Sequence, residues 1–182
     1  MIVECAVELS IPDNTAYTVL VALRALGYAE LTRVERADLF RLDVPDQGLS
    51  RDEVARAISG AEVIFNPNKH RLSISATSDK RTEPVVGQAT LAHTEFEAVV
   101  TDRDDDSSKL TRLLAERFGL AGLRSVEQAV AWRLFEGDVP ATAQRLEWAC
   151  RTLLCNPHSQ SSIIRARPAR TPVGVGAAVV ET

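Results

Sequence analysis

The chain lacks the features that mark secreted and membrane-spanning proteins. Its 182 residues include only three cysteines, Cys5, Cys150 and Cys155, with no CxxC pair. An odd, small cysteine count favours a reducing compartment with buried or idle thiols. No apolar run approaches the ~20 residues of a transmembrane helix. Met1 leads directly into a strand-like run, without the charged and apolar regions of a signal peptide. We therefore expect a cytoplasmic protein.

Positive charge and catalytic motifs are also scarce. The net charge of −4 argues against an extended nucleic-acid surface, which needs clustered Lys and Arg. The chain contains neither a GxxxxGK[ST] loop nor a GxGxxG turn after a strand. His70, His93 and His158 are far apart, and Cys150 and Cys155 point to different sides of a helix. No catalytic, cofactor-binding or metal site is therefore predicted.

Two charged segments have a simple interpretation. Asp102–Asp106 carries carboxylates that suit Mg²⁺, but it lacks the Gly and the downstream Glu of a calcium-binding loop. We favour a solvated turn that caps the next helix.

Arg165–Arg170 is basic and is predicted to be a short exposed tail. Trp132 and Trp148 are expected in the core or between two units of the chain.

The residues that are present follow one order in the first half of the chain. A strand-like run leads through the turn Pro12-Asp13-Asn14, which offers a helix N-cap, to a helical pattern that ends at Gly27. Leu31–Val44 has a polar break and is interpreted as a hairpin of two strands. Ser50 and Glu53 match a capping box for a second helix. That helix ends at an Asn-Pro pair, and a last short strand can follow it.

The second half repeats this order. A strand and a helix lead to Gly119, Leu123–Phe135 repeats the hairpin-like segment, and a helix ends at Asn156-Pro157. Gly27 and Gly119 are 92 residues apart, and the two Asn-Pro pairs are 90 apart. We therefore predict a duplication, with repeats at 1–76 and 95–165, a polar linker at 77–94 and a tail at 166–182.

Each repeat is predicted to be β-α-β-β-α, which is typical of a ferredoxin-like α+β unit. In such a unit the helices cover one face of an antiparallel sheet. The uncovered faces or the sheet edges of the two units can then join, giving a pseudo-dimer within one chain.

The residues at the ends of these helices resemble those of a known family. The first helices end in Ala25-Leu26-Gly27 and Phe118-Gly119, and the second helices end in Leu153-Leu154-Cys155-Asn156-Pro157 and, more loosely, Val63–Pro67. With the Val-rich segments between them, these features resemble two tandem copies of PurS, the small subunit of phosphoribosylformylglycinamidine synthase. The likeness covers most of residues 1–165, and the second half is closer.

The resemblance implies a non-catalytic subunit without a cofactor. PurS-like proteins bridge an ATP-dependent synthetase subunit and an ammonia-supplying glutaminase subunit of a carbon–nitrogen ligase in purine synthesis, and they self-associate through their sheets. A typical member is one unit long. Its Gly-Lys is replaced here by Ala37-Asp38 and Ala129-Val130. Arg36 and Arg133, beside these positions, are the predicted partner contacts; the alternative is that both are exposed arginines without a special role.

Two other function classes stay open. Tandem ferredoxin-like units that hold a ligand at their interface, as in ACT domains, form a common regulatory design. An enzyme is less favoured, because the sequence contains no nucleophile–base pair or metal set, although such folds host many chemistries.

Overall fold

The computed structural model describes residues 1–45, 49–77, 95–168 and 171–173. These residues form an α+β fold of four helices and one antiparallel sheet. The helices are α1 (Asn14–Ala25), α2 (Arg51–Gly60), α3 (Ser108–Arg117) and α4 (Ala143–Ala149), and α4 continues as a π-helical turn, Cys150–Leu154. The strands are β1 (Ile2–Leu9), β2 (Arg33–Asp43), β3 (His70–Thr77), β4 (Phe96–Asp102), β5 (Ser125–Glu136), β6 (Val139–Pro140), β7 (Gln160–Ala166) and β8 (Thr171–Pro172).

The sheet runs through both halves of the chain. Its order is β7-β4-β5-β2-β1-β3-β8, with the short β6 beside β5. The two central strands, β2 and β5, pair over 11 residues, from Arg33 opposite Phe135 to Asp43 opposite Ser125. The expectation of an antiparallel sheet with its helices on one face is confirmed, and the two halves meet edge to edge.

The expected hairpins are wrong. Leu31–Val44 and Leu123–Phe135 each contain one long strand, so each half follows the order β-α-β-α-β, with β6 added in the second half. The polar residues Arg36 and Asp38 were interpreted as the turn between two strands. They lie on the same face of β2 and bond to each other, while Ala37 between them is buried on the other face. The segment has no Gly, Pro or Asn to reverse it, and strands on both sides keep it extended.

The predicted N-caps of α1 and α2 and the glycine stops after α1 and α3 are confirmed. The expected end of the second helix at Asn66-Pro67 is wrong, because α2 already ends at Gly60 and residues 62–64 form a turn. The Asp13 carboxylate accepts hydrogen bonds from the amides of residues 15 and 16, at 2.8 and 3.0 Å. Ser50 and Glu53 form the reciprocal capping box. Gly27 and Gly119, just after α1 and α3, have φ of +111° and +73°, a backbone conformation that favours glycine.

The two Asn-Pro stops have the same hydrogen-bond pattern. The Asn66 amide donates to the ring nitrogen Nδ1 of His70 at 3.1 Å, and the Asn66 carbonyl accepts from the His70 amide at 2.8 Å. Asn156 makes the matching pair with Gln160, at 2.9 Å to Oε1 and 2.7 Å from the amide. Asn156-Pro157 therefore leads from the π-helical turn into β7, whereas Asn66-Pro67 lies six residues after the end of α2 and leads into β3.

The helix-covered face holds two hydrophobic cores, and each core takes residues from both halves. In the first, α2 and strands β1 to β3 pack with Leu114 of α3 and with Leu120 and Val126. In the second, α4 and strands β4 and β5 pack with Ala16 and Leu23 of α1. Tyr28 also joins this core, and its ring meets the Trp148 ring edge-on at 5.8 Å. The aromatic contact between units that we expected for Trp148 is confirmed.

Because α1 and α3 cross to the other half's core, neither half has a complete core of its own. Of the helices described, none is both long and apolar enough to cross a membrane. Most of the predicted linker, as well as His93 and the glycines of the C-terminal tail, lies outside the described residues.

Candidate functional site

The face of the sheet opposite the helices is concave. Three strands separate β7 from β1, so in a flat sheet they would lie about 19 Å apart at the usual ~4.8 Å spacing. Yet the Arg165 guanidinium on β7 bonds the Glu4 carboxylate on β1 at 2.7 and 2.8 Å. The sheet must therefore curl about this face. Small residues such as Ala6, Ala37 and Ala131 line its apolar part and permit close packing.

One buried arginine joins two buried glutamates at the centre of this concave face. Arg165 bonds Glu97 through Nε at 2.9 Å and through Nη2 at 2.6 Å, in addition to Glu4. The three residues are 3%, 0% and 4% exposed, respectively. The expectation that the basic segment from Arg165 onward is an exposed tail is therefore wrong for Arg165 itself. Its guanidinium fastens the last long strand of the second half to the first strand of the chain.

Arg133 lies in a second ionic cluster on the same face. It bonds Glu8 at 2.6 Å, Glu35 at 2.9 Å and Glu95 at 3.0 Å. Arg167 closes a ring, at 3.0 Å from Glu95 and 3.8 Å from Glu8. Burial alone would raise the pKa of Glu95, but the hydrogen bonds and charges of both arginines lower it below its usual value. This cluster connects strands β1, β2 and β5 with the residues next to the ends of β4 and β7.

The two ionic clusters show the same repetition as the strands. Arg41 lies 3.9 Å from Glu4 of the first cluster and is 92 residues before Arg133 of the second. Arg41 pairs with Glu127 and Arg133 pairs with Glu35, each across the central strands β2 and β5. Asp38 lies directly opposite Val130, which is also 92 residues further along the chain. A residue that pairs with its own counterpart marks a local twofold axis, so this axis passes between β2 and β5 at that pair.

A cavity of about 230 Å³ lies beside this axis on the helix-covered face. It lies where the two halves of the chain meet. Its apolar lining comes from both halves, and its polar lining is acidic or amide. The lining residues are Asp38, Leu39, Phe40, Val100, Asp102, Asp105, Gln128, Ala129, Val130 and Gln160. At the ~30 Å³ that a water occupies in the liquid, the volume corresponds to roughly eight waters, enough for a small organic molecule.

The polar groups of the cavity are held by neighbouring contacts. Burial raises the pKa of Asp38, although the nearby Arg36 guanidinium opposes the shift. Asp102 accepts a hydrogen bond from the Gln160 side-chain amide at 2.8 Å. Asp105 accepts from the Gln128 backbone amide at 3.2 Å. Three carboxylates and two side-chain amides therefore converge on one apolar-floored cavity.

In the first half, the place that corresponds to this cavity contains the guanidinium of Arg36. Gln128 and Asp105 are each 92 residues after Arg36 and Asp13. The Arg36 guanidinium bonds Asp38 and lies 3.9 Å from the Asp13 carboxylate. The shorter, neutral Gln128 stands at that position in the second half, beside the cavity. The twofold repetition is therefore broken at the residue that supplies the positive charge.

The two arginines singled out from the sequence do not form one surface. Arg36 lies on the helix-covered face with 24% of its side chain exposed. Arg133 lies on the concave face and is 7% exposed, so the alternative of an exposed, idle arginine is wrong for it. Their contact with a partner stays a prediction. Sequence reasoning missed the cavity, and the signal that could have found it was the exchange of Arg36 for Gln128 in the second repeat.

The part of the chain that the structure describes contains no group of three His, Cys, Asp or Glu side chains placed to hold a metal ion. Cys5, Cys150 and Cys155 are free thiols, the first two buried. No model of a known protein family matches the chain, and no curated protein has a significantly similar sequence.

Proposed function

We propose that the chain is two fused ferredoxin-like, PurS-like units that act as a non-catalytic bridging subunit. The partners would be a glutaminase and an ATP-dependent synthetase, in a cytoplasmic phosphoribosylformylglycinamidine synthase of purine biosynthesis. The motifs Leu153–Pro157 and Val63–Pro67 support the family, since both close on an Asn-Pro turn with the same hydrogen-bond pattern. Only the first directly follows a helical segment. The three-strand order of each half departs from the four strands of a complete ferredoxin-like sheet, because one long strand stands in place of the expected hairpin.

The observation that carries this proposal is the local twofold axis between β2 and β5. Self-association through sheets is what the resemblance implies for single units, and here two halves of one chain join edge to edge around such an axis. Joining two units in one chain would replace a dimer of identical units, and the surfaces of the two halves could then differ in sequence. A bridging protein that contacts two unlike partners would benefit from that difference.

Co-purification from the source cell tests the bridging role. The tagged chain should recover both a synthetase and a glutaminase, and the purified chain alone should show no glutamine- or ATP-dependent activity. Recovery of neither subunit would refute the proposal. Arg36→Ala should weaken recovery if this arginine contacts a partner, whereas Arg71→Ala, which removes an exposed arginine on β3, is the matched control.

A ligand-sensing module of the ACT type is the second candidate. The cavity favours it, because its lining comes from both halves and therefore lies where a ligand could report on their packing. A bound ligand raises the melting temperature by mass action, so a thermal-shift screen of amino acids and nucleotides is the direct test. A screen in which no compound shifts the melting temperature would count against this candidate.

A further inference from the structure

We propose that the cavity between the two halves binds a small organic cation that carries a guanidinium group. The proposal does not depend on the bridging role, and it assigns a ligand class to the site that the second candidate function would use. It rests on three features. The lining of the cavity is acidic, the Arg36 side chain lies at the corresponding place in the first half, and the carboxylates of the lining are too far apart to share one metal ion.

The lining selects positive charge. Asp38, Asp102 and Asp105 come from β2, from the end of β4 and from the turn after it, and all three contribute to the same cavity. Among the residues that the structure describes, no Lys, Arg or His contributes to this lining. The remaining polar groups are Gln128 and Gln160, whose amide oxygens accept hydrogen bonds from N–H donors. An anion placed here would meet only carboxylates and neutral amides.

The first half shows which cation the arrangement accommodates. There, the Arg36 guanidinium lies between Asp13 and Asp38. At the equivalent position the chain has Gln128, which is shorter and neutral, so the space beside Asp105 is not filled by a side chain of this strand. A free guanidinium in the cavity would lie beside Asp105 as Arg36 lies beside Asp13. The counterpart of Asp38 on the second side is Val130, so the second carboxylate would be Asp38 itself, which also lines the cavity. Planar N–H donors also match paired carboxylate oxygens better than an ammonium does.

The spacing of the carboxylates excludes a bare metal ion as the natural ligand. In the described ranges, no three acidic or metal-ligating side chains are close enough to share one ion. A molecule with a guanidinium at one end and a second cationic group at the other can reach separate carboxylates. Its hydrocarbon stem would lie on Val100, Val130 and the neighbouring apolar residues, which form the floor of the cavity.

Agmatine, a guanidinium and an ammonium joined by four methylene groups, is the probe. We expect saturable binding to the full chain by calorimetry at low ionic strength, with weaker binding of putrescine and none of glutarate, a dianion of similar length. Failure of agmatine to bind, or equal binding of glutarate, would overturn the proposal. Putrescine binding as tightly as agmatine would overturn the guanidinium preference.

Two substitutions at one position make opposite predictions. Gln128→Arg places a guanidinium beside Asp105, as Arg36 lies beside Asp13 in the first half, and should abolish agmatine binding because the side chain then occupies the site. Gln128→Glu is nearly isosteric and adds a carboxylate, so it should tighten binding about tenfold. Glu62→Gln removes a carboxylate from an exposed position outside the lining and should change nothing. If Gln128→Glu leaves the affinity unchanged, the cavity is not the site. Co-purification with partner subunits is a separate measurement, and its failure would leave these titrations unaffected.

Discussion

Replacing Arg165 with methionine should strongly destabilise the fold, because it removes the guanidinium that bonds two buried glutamates. Glu4 and Glu97 are 4% and 0% exposed, and the Arg165 guanidinium bonds both of them at 2.6 to 2.9 Å. Removing one partner of a buried ion pair costs about 3–5 kcal/mol. The loss in melting temperature should be about 6–20 °C, at about 2–4 °C per kcal/mol for a chain of this length.

A matched triple variant separates loss of charge pairing from loss of packing. Arg165→Met combined with Glu4→Gln and Glu97→Gln removes the charges of both glutamates while keeping the shapes of these two side chains. It should regain at least half of the stability lost by Arg165→Met. Urea denaturation followed by circular dichroism measures both, with a midpoint about 1.5–2.5 M lower for the single variant at about 2 kcal/mol/M. An Arg165→Met variant within about 1 kcal/mol of the native chain, or a triple variant no more stable than the single one, would refute the reasoning.

Three further measurements test the core, the second ionic cluster and the thiols. Leu114→Ala should cost about 2–5 kcal/mol in urea denaturation because this fully buried side chain of α3 fills the first half's core, whereas Leu153→Ala at a 41% exposed site should cost under about 1 kcal/mol. Because its two arginines lower the pKa of Glu95, this carboxylate stabilises the fold above its unfolded pKa. That contribution should be lost as the pH falls through its lowered folded value, so Glu95→Gln should flatten the pH dependence of the melting temperature below about pH 4.5. Burial raises the pKa of Cys5 to about 12, so iodoacetamide at pH 8 should label the less buried Cys155 first, and Cys5 only on unfolding; rapid labelling of Cys5 in the folded chain would contradict its burial.

Local chemistry made the helix ends predictable. An acidic residue at Asp13, the Ser50 and Glu53 pair and glycines at Gly27 and Gly119 each satisfy or reverse the backbone through neighbours within a few residues. The repetition was predictable for the same reason, since helices of similar length end at similar signals in both halves. The α+β class followed from alternating strand and helix periods.

Hairpin and strand could not be distinguished at Arg36–Asp38, because a polar residue in a strand is tolerated wherever a neighbouring strand or an ion pair supports it. The support comes from β1 and β5, and the β5 partners are nearly one hundred residues away in the chain. Residue type alone also gave Arg133 and Arg165 as surface residues, since arginine is rarely buried unless it is paired. Their glutamate partners are brought to them only by the curl of the sheet.

The sequence by itself determined the N-caps of α1 and α2, the glycine stops after α1 and α3 and the acidic character of the chain, because each depends on nearby residues or on composition. The tertiary structure decided which residues of the two halves meet. It packed α1 into the core of the second half and α3 into the core of the first, and it buried the ionic clusters of the concave face. It also placed Gln128, the counterpart of Arg36, in the lining of an acidic cavity. These outcomes depend on strand pairing and sheet curvature, which are set by contacts between residues far apart in the chain.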